Sequence, residues 1–389
     1  VMTYSVAIVG TGSDPDNRNR DGYAMAYRHA EGYRNLESCS LDACADIVRE
    51  NAEAFATNYD LDAVYEDHQV MIEEAEPDIV SICVPPAAHA ELVVDCASEP
   101  SVEAIHCEKP MATTWADCRK MVDVCESEDV QLTIGHQRRL AEPAQKAKSL
   151  LDDGRIGDLR RLEWSEVNLF DAGSHLFDLC DFMTDGERPE WVLAGVDCAR
   201  ENRWFGALNE TRAIAQWRYV DGTIGFASTA EEGSTLVDAY LRLVGTDGEI
   251  EIQPDKGPPL RIRTDGEWNT VETDESIYGP TSGLMRAGVG KVLDILPGSA
   301  DRIVTPPTHY EKAIEHVVNS LVTDTEPTFS GRRVLRGTEL VFASWESARR
   351  RGRVHLPLEI DDNPLEEMYE TGQLGSNPKW PSTVDHMVD

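Results

Sequence analysis

The stretch that decides the reading of this chain is Ala104-Ile105-His106-Cys107-Glu108-Lys109-Pro110. A short apolar run ends in a charged pair, and a proline then stops the strand and fixes the backbone. The lysine stands out because the chain of 389 residues holds only eight lysines among 36 basic residues.

Outward from this stretch, strand-like and helix-like segments alternate. Ser5-Val6-Ala7-Ile8-Val9 is a buried strand pattern that runs into Gly10-Thr11-Gly12-Ser13. A second strand is expected over Leu36–Leu41, ending at Asp42, with a helix over Ala43–Ala56. A short helix over Asp67–Glu73 leads to a strand over Pro77–Val84, then Pro85-Pro86 and a helix near 87–97 that His89 opens. After Pro110 come a helix over Trp115–Glu128 and a strand over Val130–Ile134. Such alternation gives a parallel sheet covered by helices on both faces, with the ligand at the carboxyl ends of the strands. Asp42, Pro85, His89 and Glu108-Lys109-Pro110 all fall at those ends.

The glycines let the backbone approach a pyrophosphate, which sits on helix N-terminal amides. Gly10, Thr11, Gly12 and Ser13 are therefore candidate cofactor contacts. The third glycine of the usual pattern is displaced: residues 14–21 intervene before Gly22. Arg18 or Arg20 reaches a phosphate from this loop, or the loop is a solvated surface segment. Asp42 accepts hydrogen bonds from ribose hydroxyls and repels a 2′-phosphate, or it caps the next helix. No arginine follows it directly, which favours NAD over NADP.

Composition bounds the rest. The length suggests two domains. With 71 acidic and 36 basic residues the formal charge is −35. An acidic, lysine-poor surface suits a cytosol of multimolar salt, where charges are screened within about 3 Å at 1 M. A salt-adapted, haloarchaeal protein is expected. No basic stripe is present to neutralise phosphates, so nucleic acid is excluded as a partner. No apolar run approaches the ~20 residues of a membrane helix, and the N-terminus carries no signal-peptide pattern. A cytoplasmic enzyme or binding protein is the expectation. The nine cysteines lie between Cys39 and Cys198 without a Cys-x-x-Cys pair, so neither disulfides nor a structural zinc are expected.

The second half reads as a helix over Pro143–Asp152, then strands over Leu159–Leu169, Glu190–Ala199, Thr211–Tyr219, Thr223–Thr229, Ala239–Val244, Glu249–Ile252 and Leu260–Arg263. Turns such as Asp221-Gly222 and Asp247-Gly248 imply a mostly antiparallel sheet. Helices are expected over Gly283–Leu296, His309–Val322 and Arg333–Arg351. Asp171 and His175 share a face if one helix includes both. Read alone, they are a helix cap and a surface histidine, or a catalytic pair.

Taken together, Gly10-Thr11-Gly12, the strand-end aspartate, Val84-Pro85-Pro86 with His89, Glu108-Lys109-Pro110, and Gly135-His136-Gln137-Arg138-Arg139 resemble the glucose–fructose oxidoreductase/inositol dehydrogenase (Gfo/Idh/MocA) family. Asp171-x-Gly173-x-His175-x-x-Asp178, Gly154-Arg155-Ile156-Gly157 and the segment from Thr328 to Val354 extend the resemblance over residues 4–358. It implies an N-terminal Rossmann domain (1–135), an α+β substrate-binding and oligomerisation domain built on a large antiparallel sheet (136–358), and a C-terminal tail (359–389) that is either a partner-clasping arm or loose. It further implies a homo-oligomer, dimer or tetramer, through the open sheet face.

The implied activity is an NAD(P)-dependent dehydrogenase acting on a secondary hydroxyl of a sugar, polyol or related small molecule. His175 would be the base, since its ordinary pKa is about 6.5. Lys109 would hold the hydroxyl and Asp171 would orient; the roles of Lys109 and His175 are open to exchange. Arg138 is a further substrate candidate. An NAD-dependent glycoside hydrolase or lyase needs the same residues, and a non-catalytic nucleotide sensor is a third reading. Two departures stand out. The family usually has Asn where this chain has Pro86. It also usually has a longer segment, often with a Trp-Arg loop, where only Asn168-Leu169-Phe170 precede Asp171 here. A wall of the usual pocket is therefore shortened.

Overall fold

The computed structural model describes residues 3–16, 23–231, 233, 235–280 and 307–374. Arg18, Arg20, the expected helix 283–296 and the tail beyond 374 lie outside the described residues.

The first half builds the expected parallel sheet. Its elements are β1 (Tyr4–Val9), α1 (Met25–Arg34), β2 (Cys39–Ala45), α2 (Arg49–Tyr59), β3 (Ala63–Tyr65), α3 (His68–Ala75), β4 (Ile79–Ile82), α4 (His89–Ala97), β5 (Ala104–Cys107), α5 (Trp115–Ser127) and β6 (Gln131–Ile134). The strand order is β3-β2-β1-β4-β5-β6, all parallel. The apolar central strands β1, β4 and β5 are buried on both faces, as two-sided helix cover requires.

One boundary moves with consequences. The second strand runs over 39–45, and its pairing with β1 shifts between Val6 and Ala7. Asp42 is the residue skipped in that register, exposed in mid-strand, and it accepts a hydrogen bond from Ser40 at 3.0 Å. It is neither a strand end nor a helix cap. The strand ends beside Asp46, and the helix expected over 43–56 occupies 49–59. The bulge leaves Asp42 out of the ladder, and the buried run Ala43-Cys44-Ala45 extends the strand past its expected end at Leu41.

The second half comprises α6 (Glu142–Asp152), β7 (Leu159–Glu166), α7 (Ser174–Met183), β8 (Pro189–Asp197), β9 (Arg203–Trp204), β10 (Ala207–Leu208), β11 (Arg212–Tyr219), β12 (Ile224–Ala230), β13 (Ala239–Gly245), β14 (Gly248–Pro254), β15 (Leu260–Thr264) and β16 (Glu267–Thr270). After the short strands β17 (Glu275–Ser276) and β18 (Gly279–Pro280) come α8 (His309–Thr323), α9 (Gly331–Arg350), β19 (Val354–His355) and α10 (Pro364–Glu370). The large sheet has the order β16-β15-β14-β13-β7-β12-β11-β8-β19 and is antiparallel except for β7 with β12. Strand β11 alternates exposed and buried residues, so one face packs inward and one faces out. The inward face carries Trp164 and Trp217 against Phe177 of α7.

The C-terminal helices return to the first half. Helix α8 packs on α1, where a Cβ at Gly32 would stand 2.8 Å from Ile314 Cγ1. Residues 359–374 are folded onto the same chain. Trp115 and Ala116 amides donate to Asp362 and Asp361 carbonyls, and Asn363 Nδ2 donates to the Thr113 carbonyl at 2.8 Å.

Packing at the sheet centre is tight enough to test. Trp217 pairs with Gly225, and a Cβ there would lie 1.9 Å from Trp217 Cε2. Gly225→Ala should cost about 1–3 kcal/mol through overpacking. A denaturation midpoint equal to wild type would show that the indole is free to move aside.

Candidate functional site

The two sheets meet at a cleft of about 680 Å3. It is lined by Gly10–Ser13, Pro85, Glu108, Lys109, Arg138, Asp171 and His175, all anticipated from sequence. Asp42 and His89 do not line it.

The cofactor half follows from the end of β1. Gly10 and Gly12 have φ values of 83° and 63°, which favour glycine. A Cβ on Gly10 would lie 2.4 Å from Val84, while that of Gly12 would meet open space. Helix α1 begins after Ala24 without a side-chain cap, and Ala24 and Met25 line the cleft. Helix N-terminal amides beside an open glycine turn fit a diphosphate. Asp46 accepts from the Gly12 amide at 2.8 Å and the Thr11 hydroxyl at 3.2 Å. It is the carboxylate at the strand end, in the place expected for Asp42. The donor set therefore fits a dinucleotide.

His89 has a structural task. It is fully buried, with Nε2 2.9 Å from the Val84 carbonyl and Nδ1 2.9 Å from that of Pro110. It ties the loop after β4 to the turn after β5 and does not reach the cleft, which corrects its expected cofactor role. The Lys109-Pro110 peptide in that turn is cis.

Glu108 anchors the floor. Its carboxylate, 7 % exposed, pairs with His29 Nε2 at 3.0 Å and accepts the Lys109 amide at 3.2 Å. Gly135 is needed opposite, because a Cβ there would stand 3.2 Å from this carboxylate. Burial alone would raise the Glu108 carboxyl, but the hydrogen bond and charge of His29, and then Lys109, hold it well below the usual range. Burial alone would lower His29, but Cys83 and Glu108 outweigh it and raise it. His29 gave no signal in the sequence.

Lys109 points the other way, across the domain boundary. Its Nζ donates to Asp171 Oδ1 and to the Asp171 carbonyl, both at 3.1 Å. Asp171 precedes α7, so it and His175 do not share a helix; the turn 171–174 brings them together instead. His175 is 3 % exposed, and its Nδ1 is buried without a partner. Burial, reinforced by Arg138, His136 and Lys109, pushes its pKa well below 6.5, so the ring is neutral. Arg138 bonds the Tyr240 hydroxyl and lies 5.2 Å from each of the Tyr240 and Tyr278 ring centroids. The Arg139 guanidinium forks onto Asp178 at 2.7 Å through two nitrogens, which locks α7 and its His175 in place.

The short segment before Asp171 is held from beneath. Asn209 Oδ1 accepts the Asp171 amide at 3.2 Å, and Glu210 accepts the Leu169 amide. Glu210 is fully buried, and burial pushes it up to about 7. Beside it, the β9–β10 hairpin carries Trp204 and Phe205 into the cleft. Nothing in the strand pattern announced this hairpin; the only trace is two aromatic residues before Gly206.

Comparison with known proteins is consistent with this geometry. The profile described as "Oxidoreductase family, NAD-binding Rossmann fold" matches residues 4–136. The D-apiose dehydrogenase of Paraburkholderia graminis is 31% identical over 346 residues, covering 84% of this chain and 86% of that one. The NADP-dependent D-xylose 1-dehydrogenase of Haloarcula marismortui is 24% identical over 312 residues, covering 72% and 74%. The fold is shared with the aldose-aldose oxidoreductase of Caulobacter crescentus, with a TM-score of 0.69 at 20% identity over 91% of this chain and 100% of that one.

The buried pair under Lys109 generates a pH signature. The His29 contribution to stability is complete below its ordinary value of 6.5 and is lost as pH rises above it. The Glu108 contribution is complete above 4.5 and is lost as pH falls below it. His29→Gln should cost about 3–5 kcal/mol near pH 6, since it leaves a buried carboxylate unpaired. The loss should shrink toward both pH extremes. A pH-independent loss in chemical denaturation would refute the pairing.

Proposed function

The chain belongs to the Gfo/Idh/MocA oxidoreductase family, and from that premise we propose that it oxidises a secondary hydroxyl of a sugar or polyol. The observation that carries this reading is the Lys109–Asp171 pair at 3.1 Å, in one cleft with His175 and the glycine turn. The relatives named as dehydrogenases of D-apiose and D-xylose support a sugar. The family binds NAD, which when bound supplies the hydride acceptor.

The chain's own residues divide the remaining work. Gly10–Ser13 and the start of α1 hold the diphosphate, and Pro85 backs the cofactor side. Asp46, at the end of β2, orders the glycine turn, and its charge there disfavours a 2′-phosphate. The nearest arginine downstream, Arg49, is engaged with Glu53 at 2.9 Å. Glu108 acts on Lys109 from beneath. Lys109 donates to the substrate hydroxyl oxygen, Asp171 keeps Nζ aimed, and Arg138 binds a further substrate oxygen. His175 is neutral and takes the hydroxyl proton. Because its pKa is depressed, the acidic limb of kcat/KM should lie below pH 6.5.

The chain is inferred to divide into a cofactor domain (1–135), a substrate and assembly domain (136–358) and a C-terminal segment (359–389). Its charge and lysine economy support a salt-adapted cytoplasmic protein. Exposed Leu193 and Ile214, on the outward face of the paired strands β8 and β11, support a homo-oligomer through that face.

Lys109→Met should lower kcat by about 10²–10⁴ with NAD binding retained. The assay is NADH formation in multimolar KCl with D-apiose, D-xylose or myo-inositol, and full turnover would refute the role. Ile214→Lys should reduce the mass measured by light scattering to that of a single chain; an unchanged mass rules this face out.

A further inference from the structure

Only four residues, 167–170, join β7 to Asp171, and the cleft is walled beside them. The wall comes from elsewhere in the chain, the hairpin of β9 and β10. We propose that Trp204 and Phe205 at its tip are the substrate-facing wall of the pocket and determine specificity by stacking their ring faces on the C–H face of a sugar. The proposal rests on the sugar reading above.

Four observations carry it. First, the hairpin is joined to the catalytic half of the cleft. The Asn209 amide closes the hairpin base on the Asn202 carbonyl at 2.7 Å, and the Asn209 side chain accepts the Asp171 amide. The partner of Lys109 and the aromatic tip therefore hang from one residue. Second, the tip is held in a costly shape. Phe205 has φ 51° and Gly206 φ 82°, the two positive values of a tight hairpin turn that Asn-Gly satisfies best. A bulky aromatic residue in that conformation is a backbone outlier, and such outliers mark functional positions.

Third, the indole has no polar edge to spare. Trp204 Nε1 already donates to Asn202 Oδ1 at 3.0 Å, so the ring offers its apolar face. Fourth, the hairpin is braced from outside the pocket. Arg203 forks onto Glu366 of α10 at 2.7 and 3.0 Å and donates to the Gly206 carbonyl at 3.1 Å. Phe205 reaches across the cleft mouth to Tyr23, with ring centroids 5.8 Å apart. A surface turn without a task needs neither the strain nor the brace.

Phe205→Asn separates the proposed role from a structural one, because asparagine suits the turn. The expected result is a melting temperature equal to or above wild type, NADH affinity unchanged, and KM for the sugar turned over (D-apiose, D-xylose or myo-inositol) raised about threefold or more. Trp204→Ala should raise that KM about tenfold, with Trp204→Phe recovering most of it. Unchanged KM in Phe205→Asn and Trp204→Ala, alongside wild-type turnover, overturns the wall and leaves the sugar reading intact. Weakened NADH binding with unchanged KM also overturns it, by assigning the tip to the cofactor. No turnover of any of the three sugars by wild type sinks the sugar reading itself, and this proposal with it.

Discussion

One ion pair, Lys109 Nζ to Asp171 at 3.1 Å, joins the two halves of this protein at its cleft. A buried charge pair is stable only if both partners are held and their remaining hydrogen-bonding capacity is met. Much of the surrounding structure serves that condition. On one side, His29 neutralises Glu108, Glu108 accepts the Lys109 amide, and Gly135 leaves room for the carboxylate. On the other, Asn209 and Glu210 receive the amides of the short segment that ends at Asp171. Arg139 fixes α7 through Asp178. The pair is thus set between two pre-formed shells, and the cleft between the domains has a defined geometry.

The C-terminal part of the chain explains how two domains keep that geometry. Helix α8 adds to the α1 face of the parallel sheet, and residues 358–363 bond to the start of α5 and the residue Thr113 before it. Helix α10 then props the β9–β10 hairpin through Glu366. The start of this helix thus reaches both the hairpin and the segment after Pro110. Arginine suits these braces, since its planar fork binds a carboxylate at two points. The scarcity of lysine leaves Lys109 as a flexible point charge among rigid forks.

The order of strands and helices, the glycine turn and the Glu108-Lys109-Pro110 turn were legible in the sequence because they are local patterns. Apolar runs, glycines and a proline act through their own backbone and nearest neighbours. Asp42 was misread because Ala43-Cys44-Ala45, taken as the start of a helix, continues the strand beyond it, so the carboxylate at the strand end is Asp46. His89 was placed at the right end of the sheet, but its ring turns inward to two carbonyls. Which way a side chain turns depends on groups 21 residues away along the chain, at Pro110.

By itself, then, the sequence determined a parallel nucleotide-binding sheet, a mostly antiparallel partner sheet, and the identity of the lysine, aspartate and histidine that meet between them. The tertiary structure alone decided the shape of that meeting. It brought His29 under Glu108 across 79 residues and Glu366 to Arg203 across 163. It also put the aromatic hairpin of residues 203–208 at the cleft. Periodicity and turn chemistry report the conformation of a segment. Ion pairs and pocket walls are made between segments, and their partners are chosen by packing once the chain has folded.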